Sequence, residues 1–321
     1  MRASAAARAV AGGLFGCILL LGGCATSLQS ARLTSAAFPD PVELKDVPFF
    51  AQEDYQCGPA ALAMALDWAG AKLTPDMLTP EVYTPARRGS LQVEMLAGAR
   101  RHGAIPYVLR PALTDLLAEV AAGHPVVVLQ NLGLSWYPKW HYAVVVGFDV
   151  DRDEMVLHSG LEARHVVPLA VFERTWRRAE YWSIVVLPPG RLPKTAEETH
   201  YLQAIVALER LERWADASAA YRAALARWPD SLGAQLGLGN SRYALHDLRG
   251  AEQAYRAAAH RHPDAAVAFN NLAQTLADLG RWDEAETAVS HALALGGPYA
   301  ETYRATADDI RARRAGGKPP S

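Results

Sequence analysis

The sequence predicts an α+β domain followed by an all-α repeat solenoid. In the first part, residues 43–190, helical segments come first and short β-rich runs follow, which is typical of α+β domains rather than of alternating βαβ units. Beyond the Pro- and Gly-rich stretch PPGRLPKT (188–195), strand signals stop and an Ala-rich pattern repeats every 34 residues. A chain of 321 residues has room for two such domains.

The N-terminus has the pattern of an export signal. A basic start, the apolar run LFGCILLL and the small-residue ending LGGC predict a signal peptide over residues 1–23. The apolar run is shorter than the ~20 residues of a membrane-spanning helix. LGGC resembles the bacterial lipobox, which implies that Cys24 is lipidated and that residues 24–42 form a tether. Because Ala25 is not aspartate, this resemblance favours the outer membrane, facing the periplasm; an ordinary signal with an incidental cysteine is the alternative.

The cysteine count directs attention to one thiol. Cys17 lies in the predicted signal and Cys24 is the predicted lipidation site, which leaves Cys57. Exported proteins normally pair their cysteines, so an unpaired one is a candidate reactive thiol. The alternative is a buried cysteine that acts as a small hydrophobic residue.

The elements of the first part follow from periodicity and from turn residues. Ser90 is the predicted N-cap of the second helix and Gly103 its stop. The predicted helices are PAALAMALDWAG (59–70), SLQVEMLAGARRHG (90–103) and LTDLLAEVAAG (113–123). The predicted strands are PVVVLQN (125–131), HYAVVVGFD (141–149), EMVLHSG (154–160) and YWSIVVL (181–187).

The second part has a 34-residue period. Ala217, Ala251 and Ala285 share this spacing, and so do other sets of small and aromatic residues. The period and the small residues at expected helix crossings resemble the tetratricopeptide repeat. We expect about three repeats over residues 200–312, after a linker at 191–199. Such stacks form concave surfaces that bind proteins; a purely structural stack is the alternative.

Cys57 lies where a nucleophile can be activated. Pro59 suits the first turn of a helix, which puts Cys57 at the helix N-terminus. There the dipole and the free N–H groups favour a thiolate, so we expect a lowered thiol pKa. We also expect Gly58 to leave room for a substrate backbone.

A cysteine nucleophile needs a base, and His141 is the best candidate. It begins the apolar run HYAVVVGFD and follows the aromatic stretch SWYPKW. By spacing alone, His102, His124 and His165 remain open as alternatives, and a structural histidine is the default reading of any of them.

Four sequence blocks together carry a family resemblance. They are VPFFAQEDYQCGPAALAM, RRGSLQVEMLAGARRHG, LLAEVAAGHPVVVL and HYAVVVGFD. In this order they resemble the bacteriocin-processing, double-glycine-type peptidases, which are papain-like. The resemblance implies a papain-like cysteine peptidase domain with Cys57 as nucleophile and His141 as general base. It also implies that Gln52 supplies an oxyanion-hole amide, with Gln56 as the alternative.

The third catalytic position differs from the pattern of that family. Its acidic residue corresponds here to His158 in EMVLHSG, which could still accept a hydrogen bond from the imidazole. Asp149, Asp151 and Asp153 are alternatives, although solvated turn residues are the default reading. DVDRDE (149–154) lacks the glycine and the distal glutamate of a calcium loop, so we expect neither metal nor cofactor.

The sequence therefore predicts a lipid-anchored cysteine peptidase that acts on a peptide or protein and binds a protein partner through its repeats. A net charge of −2 gives no sign of nucleic-acid binding. One alternative is a catalytically weak or inactive scaffold. Acyl transfer to an amine would use the same residues.

Overall fold

The computed structural model describes residues 27–34, 38, 41–51 and 56–316. The predicted signal peptide, the predicted lipidation site Cys24 and the predicted oxyanion residue Gln52 lie outside the described residues. Among the described residues, no helix is both long and apolar enough to cross a membrane. The same residues contain no group of three or more side chains placed to hold a metal ion.

The first domain is built on a seven-stranded antiparallel sheet. Its order is β4-β9-β5-β6-β7-β8, β1 pairs with β6, and β2 and β3 form a separate pair. All four predicted strands are confirmed, as β5, β6, β7 and β9. Within the described part of the domain, the nine strands are β1 Val42–Glu43, β2 Tyr83–Thr84, β3 Gly89–Ser90, β4 Ile105–Val108, β5 Val126–Asn131, β6 Trp140–Asp149, β7 Glu154–Ser159, β8 Glu162–Pro168 and β9 Ser183–Leu187.

Five helices cover this sheet, and three of them were predicted. The predicted start of the second helix was wrong, because Ser90 pairs with Tyr83 in the β2–β3 ladder and Leu91 is the N-cap. The five are α1 Cys57–Trp68, α2 Pro75–Val82, α3 Gln92–Arg101, α4 Leu113–Ala121 and α5 Leu169–Arg177.

The core lies on both faces of the sheet, because successive strand residues point to opposite sides. On one face, Val127, Val144 and Val156 pack with α1, α2 and α3. On the other, Val128 and Val145 pack with α4, α5 and the first helix of the second domain. Helix α1 is buried from Gly58 to Leu66, and the predicted helix at 59–70 therefore packs into the core.

The second domain contains seven helices. They form three helix pairs and a final helix, in agreement with about three repeats. Small residues lie where the helices cross, since Gly237 packs against the ring of Tyr221 and Gly239 against the ring of Tyr255. The helices are α6 Glu198–Glu209, α7 Trp214–Arg227, α8 Leu232–Ala244, α9 Leu248–Arg261, α10 Ala266–Asp278, α11 Trp282–Leu295 and α12 Ala300–Ala315.

A buried carboxylate joins the two domains. Glu119, which is 0% exposed, accepts hydrogen bonds from the backbone N–H groups of Lys194 and Thr195 and from the Thr195 hydroxyl. Its other neighbour is His124, with 2.7 Å between Nδ1 and Oε2. The predicted linker is therefore fixed to α4 where it enters the repeats.

Candidate active site

The start of α1 places the candidate nucleophile. Cys57 is the first residue of the helix and Gln56 is its N-cap. The half-buried thiol accepts hydrogen bonds from the backbone N–H groups of Tyr142, Gly58 and Cys57 itself. Two of these donors belong to the helix N-terminus, and the third belongs to β6. The thiol is thus held between the helix and the sheet.

Strand β6 brings the candidate base to the same place. His141 directly precedes Tyr142, whose N–H contacts the thiol. The Tyr142 hydroxyl also donates to the Ser90 carbonyl, 3.2 Å away, and so ties β6 to the segment that covers α1. The structure therefore places His141 one residue from a backbone group that contacts the Cys57 thiol, and the catalytic roles of both residues stay predictions.

The hydrogen-bond partner of His141 is Ser159. A 2.8 Å hydrogen bond joins His141 Nε2 to Ser159 Oγ, at the end of β7. This bond uses Nε2, so Nδ1 is the ring nitrogen that can serve the thiol. The sequence analysis did not identify Ser159, because the sequence does not show which side chain of EMVLHSG meets His141.

His158, the predicted third residue, has different neighbours. Its ring meets the ring of Phe49 edge-on, with centroids 5.5 Å apart, and it hydrogen-bonds to the backbone carbonyl of Pro48. His158 therefore meets residues 48 and 49, which precede α1, whereas the next residue, Ser159, meets His141. The structure thus pairs His141 with the residue after the predicted one.

The alternative aspartates lie at the far end of β6. His141 is the second residue of this strand and Asp149 is its last, a separation of roughly 26 Å at ~3.3 Å per residue. Asp149 accepts a hydrogen bond from the Arg152 N–H in the turn that follows, and Asp151 and Asp153 belong to the same turn. These carboxylates are too distant to orient the imidazole.

The alternative histidines all have carboxylate neighbours elsewhere. His102 lies 3.1 Å from Glu81 and His165 lies 2.9 Å from Glu162. His124 belongs to the Glu119 cluster at the domain junction. Of the four histidines considered, only His141 neighbours a residue that contacts the thiol.

Both candidate catalytic groups are electrically neutral at rest. Burial raises the pKa of the Cys57 thiol, and the hydrogen bonds from the N–H groups only partly oppose this effect. Burial, with the charges of Lys139 and His165, lowers the pKa of His141 to about 4. The expectation of a lowered thiol pKa is therefore wrong for the resting site, because desolvation outweighs the helix N-terminus.

Gly58 is required by packing next to the thiol. A Cβ at this position would lie 2.2 Å from Ser90 Oγ, so the space that was assigned to a substrate backbone is filled by Ser90. Gln56 forms no capping hydrogen bond through its side chain. Its role as an oxyanion donor, like that of Gln52, stays a prediction.

The α+β domain thus carries a cysteine at the start of a buried helix and a histidine on an antiparallel sheet. Within it, residues 44–184 match the Peptidase_C39 like family. Residues 202–245 and 236–300 match the tetratricopeptide repeat. The chain therefore joins a C39-like peptidase domain to tetratricopeptide repeats, as the sequence predicted.

Solved structures similar to each part have low sequence identity. A C39-like peptidase from Bacillus anthracis is 19% identical with a TM-score of 0.41, over 49% of this chain and 100% of that one. A double-glycine-motif protease from an AMS/PCAT transporter, in complex with a leader peptide, is 21% identical with a TM-score of 0.33, over 46% and 96%. The type III secretion translocator chaperone SycD of Yersinia enterocolitica is 18% identical with a TM-score of 0.34, over 36% and 83%. A comparison with curated proteins found no match.

Proposed function

We propose that this protein is a lipid-anchored cysteine peptidase whose repeats recruit a protein substrate or partner. The observation that carries the proposal is the hydrogen bond between the Cys57 thiol and the Tyr142 N–H, beside His141. It lies within the segment that matches the Peptidase_C39 like family. The anchor follows from the LGGC motif at Cys24, and the outer membrane facing the periplasm is the proposed location.

The resting site suits general-base activation of the thiol. His141 Nδ1 takes the proton of Cys57 as sulfur attacks the peptide carbonyl, and the oxyanion accepts hydrogen bonds from the Cys57 N–H and the Gln52 amide. The imidazolium then gives this proton to the leaving amine, and water hydrolyses the thioester. Ser159 Oγ accepts from Nε2–H of the imidazolium and so keeps the ring in place.

The pH dependence of Cys57 alkylation by iodoacetamide tests the proposal. The wild-type protein, prepared as the chain from residue 25 onward, is compared with the His141→Ala variant. The His200→Ala variant, with its substitution in the repeats, is the matched control. If His141 is the base, its loss slows alkylation at pH 7 by about 10²-fold or more, and the control keeps the wild-type rate. Identical rates for wild type and His141→Ala at every pH would refute the peptidase.

The second candidate function is a protein-binding scaffold without catalysis. One observation favours it: the partner of His141 is a hydroxyl group, which stabilises an imidazolium less than a carboxylate does. Intact-mass measurement after incubation with an activated ester separates the two candidates. A Cys57 acyl-enzyme that forms and then decays indicates a peptidase, whereas an unmodified thiol indicates the scaffold.

A further inference from the structure

The chain is fixed to the first domain close to the predicted lipid. The backbone N–H groups of Gln29 and Ser30 each donate to the Glu173 carboxylate at 2.7 Å, and Glu173 is 0% exposed. The Gln29 side chain accepts from the Leu113 N–H at 2.7 Å and donates to the Pro111 carbonyl at 3.0 Å. These bonds define where the chain leaves the domain.

Sheet topology sets this exit point at the same end as the candidate active site. Strands β4 and β5 both run antiparallel to β9, so their carboxyl ends meet at one edge. Leu113 follows β4, and the loop to His141 follows β5. With β9 between them, β4 and β5 are separated by only about 10 Å, or two strand spacings.

A rigid aromatic surface projects from this end. We call residues 132–140 the aromatic hairpin; Trp136 is 80% exposed and Tyr137 is 74% exposed. Asn131 Oδ1 accepts from the Gly133 and Lys139 N–H groups, both at 2.9 Å. These bonds close the base of the hairpin, and the rings at its tip face solvent.

Other exposed apolar side chains extend this surface. Leu134 is 56% exposed and Trp140 is 54% exposed within the hairpin, and Leu161 is 78% exposed in the turn between β7 and β8. This turn follows Ser159 and so lies at the same end of the sheet. Exposed apolar side chains grouped in this way mark an interaction surface.

We propose that the aromatic hairpin and Leu161 contact the lipid bilayer, so that the candidate active site faces the membrane. The inference rests on the lipid anchor of the proposed function. From Cys24 to Gln29 the chain can span at most about 18 Å, which keeps this end of the sheet near a bilayer that holds the lipid. Trp and Tyr rings suit the interface because they combine an apolar body with a polar group.

This placement also defines a substrate class. A thiol at the membrane-facing end reaches polypeptide that lies along the bilayer surface, such as the membrane-proximal segment of another envelope protein. The Lys139 ammonium can remain among the headgroups while its stem lies along the apolar surface.

Quenching of tryptophan fluorescence by brominated lipid tests the inference. The full chain, with lipid on Cys24 verified by mass, is reconstituted in phosphatidylethanolamine–phosphatidylglycerol vesicles with and without brominated acyl chains. We expect quenching of the wild type, and a quenched fraction that is smaller by up to about twofold in Trp136→Phe, because Trp140 remains in the hairpin. Trp282→Phe, in the repeats, is the matched control and should keep the wild-type fraction.

Each outcome decides the inference. Absence of quenching, or equal quenching in Trp136→Phe and wild type, would overturn it, and so would a protein without lipid on Cys24. A Trp136→Phe protein that is quenched like wild type but binds peptide more weakly would make the hairpin a substrate-docking surface instead. Cys57 alkylation in the same samples tests the peptidase separately, since the substitution at Trp136 leaves Cys57 and His141 in place.

Discussion

Replacing Ser159 with aspartate should convert the neutral Cys57–His141 pair toward a thiolate–imidazolium pair. In the structure, His141 Nε2 and Ser159 Oγ are 2.8 Å apart, and burial keeps the pKa of His141 at about 4. A carboxylate at this position would face the imidazolium directly. It would also accept the Nε2–H more strongly than a hydroxyl does.

The size of the effect follows from Coulomb's law. Unit charges about 4 Å apart attract by ~4 kcal/mol at an effective dielectric constant of ~20, which equals about 3 pKa units at 1.36 kcal/mol per unit. Desolvation of the new carboxylate removes part of this gain. We therefore expect Ser159→Asp to raise the pKa of His141 by about 2 units.

The assay is Cys57 alkylation by iodoacetamide between pH 4 and pH 9. A shift of about 2 units raises the population of the ion pair, and so the rate near pH 6, by up to about 100-fold. Ser159→Asn, which adds an acceptor without a charge, is the matched control and should change the rate by less than about threefold.

Two results would refute this reasoning. The first is a Ser159→Asp protein that folds normally and leaves the rate profile unchanged, which would show that the hydroxyl does not control the imidazole. The second is faster alkylation in His158→Asp without faster alkylation in Ser159→Asp. The third position would then be the one that the sequence indicated, and not the residue that hydrogen-bonds to His141.

Three further predictions concern stability, each measured by urea unfolding. The pKa of His141 is about 4 in the folded protein and 6.5 in the unfolded chain, so between these pH values the unfolded chain binds a proton that the folded protein does not. The free energy of unfolding should therefore fall by up to about 3 kcal/mol as the pH is lowered from 6.5 to 4. His141→Asn should remove this loss. Gly58→Ala should cost about 1–3 kcal/mol through overpacking against Ser90, and adding Ser90→Gly should restore most of it. Glu119→Ala leaves buried donors unpaired and should cost about 3–5 kcal/mol, whereas Glu162→Ala, at an exposed pair, should cost less than about 1 kcal/mol.

The parts of the fold that the sequence predicted are those with a local periodic signal. The apolar runs of β5, β6, β7 and β9, the buried face of α1 and the 34-residue period each depend on neighbours in the chain. Helix α2 was missed because it is short and contains Pro80. Helix α5 was missed because it follows β8 directly, with Pro168 as its N-cap.

The sequence named Cys57, His141 and His158 as site residues, and their catalytic roles stay predictions. Cys57 is the first residue of α1 and His141 the second residue of β6, so each lies at the start of an element that has a local signal. The choice between His158 and Ser159 depends on which face of β7 meets His141, and a shift of one residue exchanges the two faces. The register of β7 with β8 shifts between Leu157 and Ser159, which is an irregularity that composition does not reveal.

The protonation state of the pair could not be predicted from local sequence. A cysteine at a helix N-terminus favours a thiolate if the site is open to water. Here the sheet packs against the start of α1, and burial reverses the direction of the pKa shift. The balance depends on tertiary packing, and the docking of Gln29 on α4 and Glu173 is a similar long-range contact.

Helix α1 links the candidate site to the repeats and fixes the distance between them. Cys57 begins this helix, and Trp68 at its other end meets His124 and Arg191 at the domain junction. Twelve residues of helix span about 18 Å. Because Glu119 fixes the linker, the repeats cannot swing toward the thiol without breaking buried hydrogen bonds. On the proposed function, a substrate that passes this junction would therefore extend at least about six residues, at ~3.3 Å each, before it reaches Cys57.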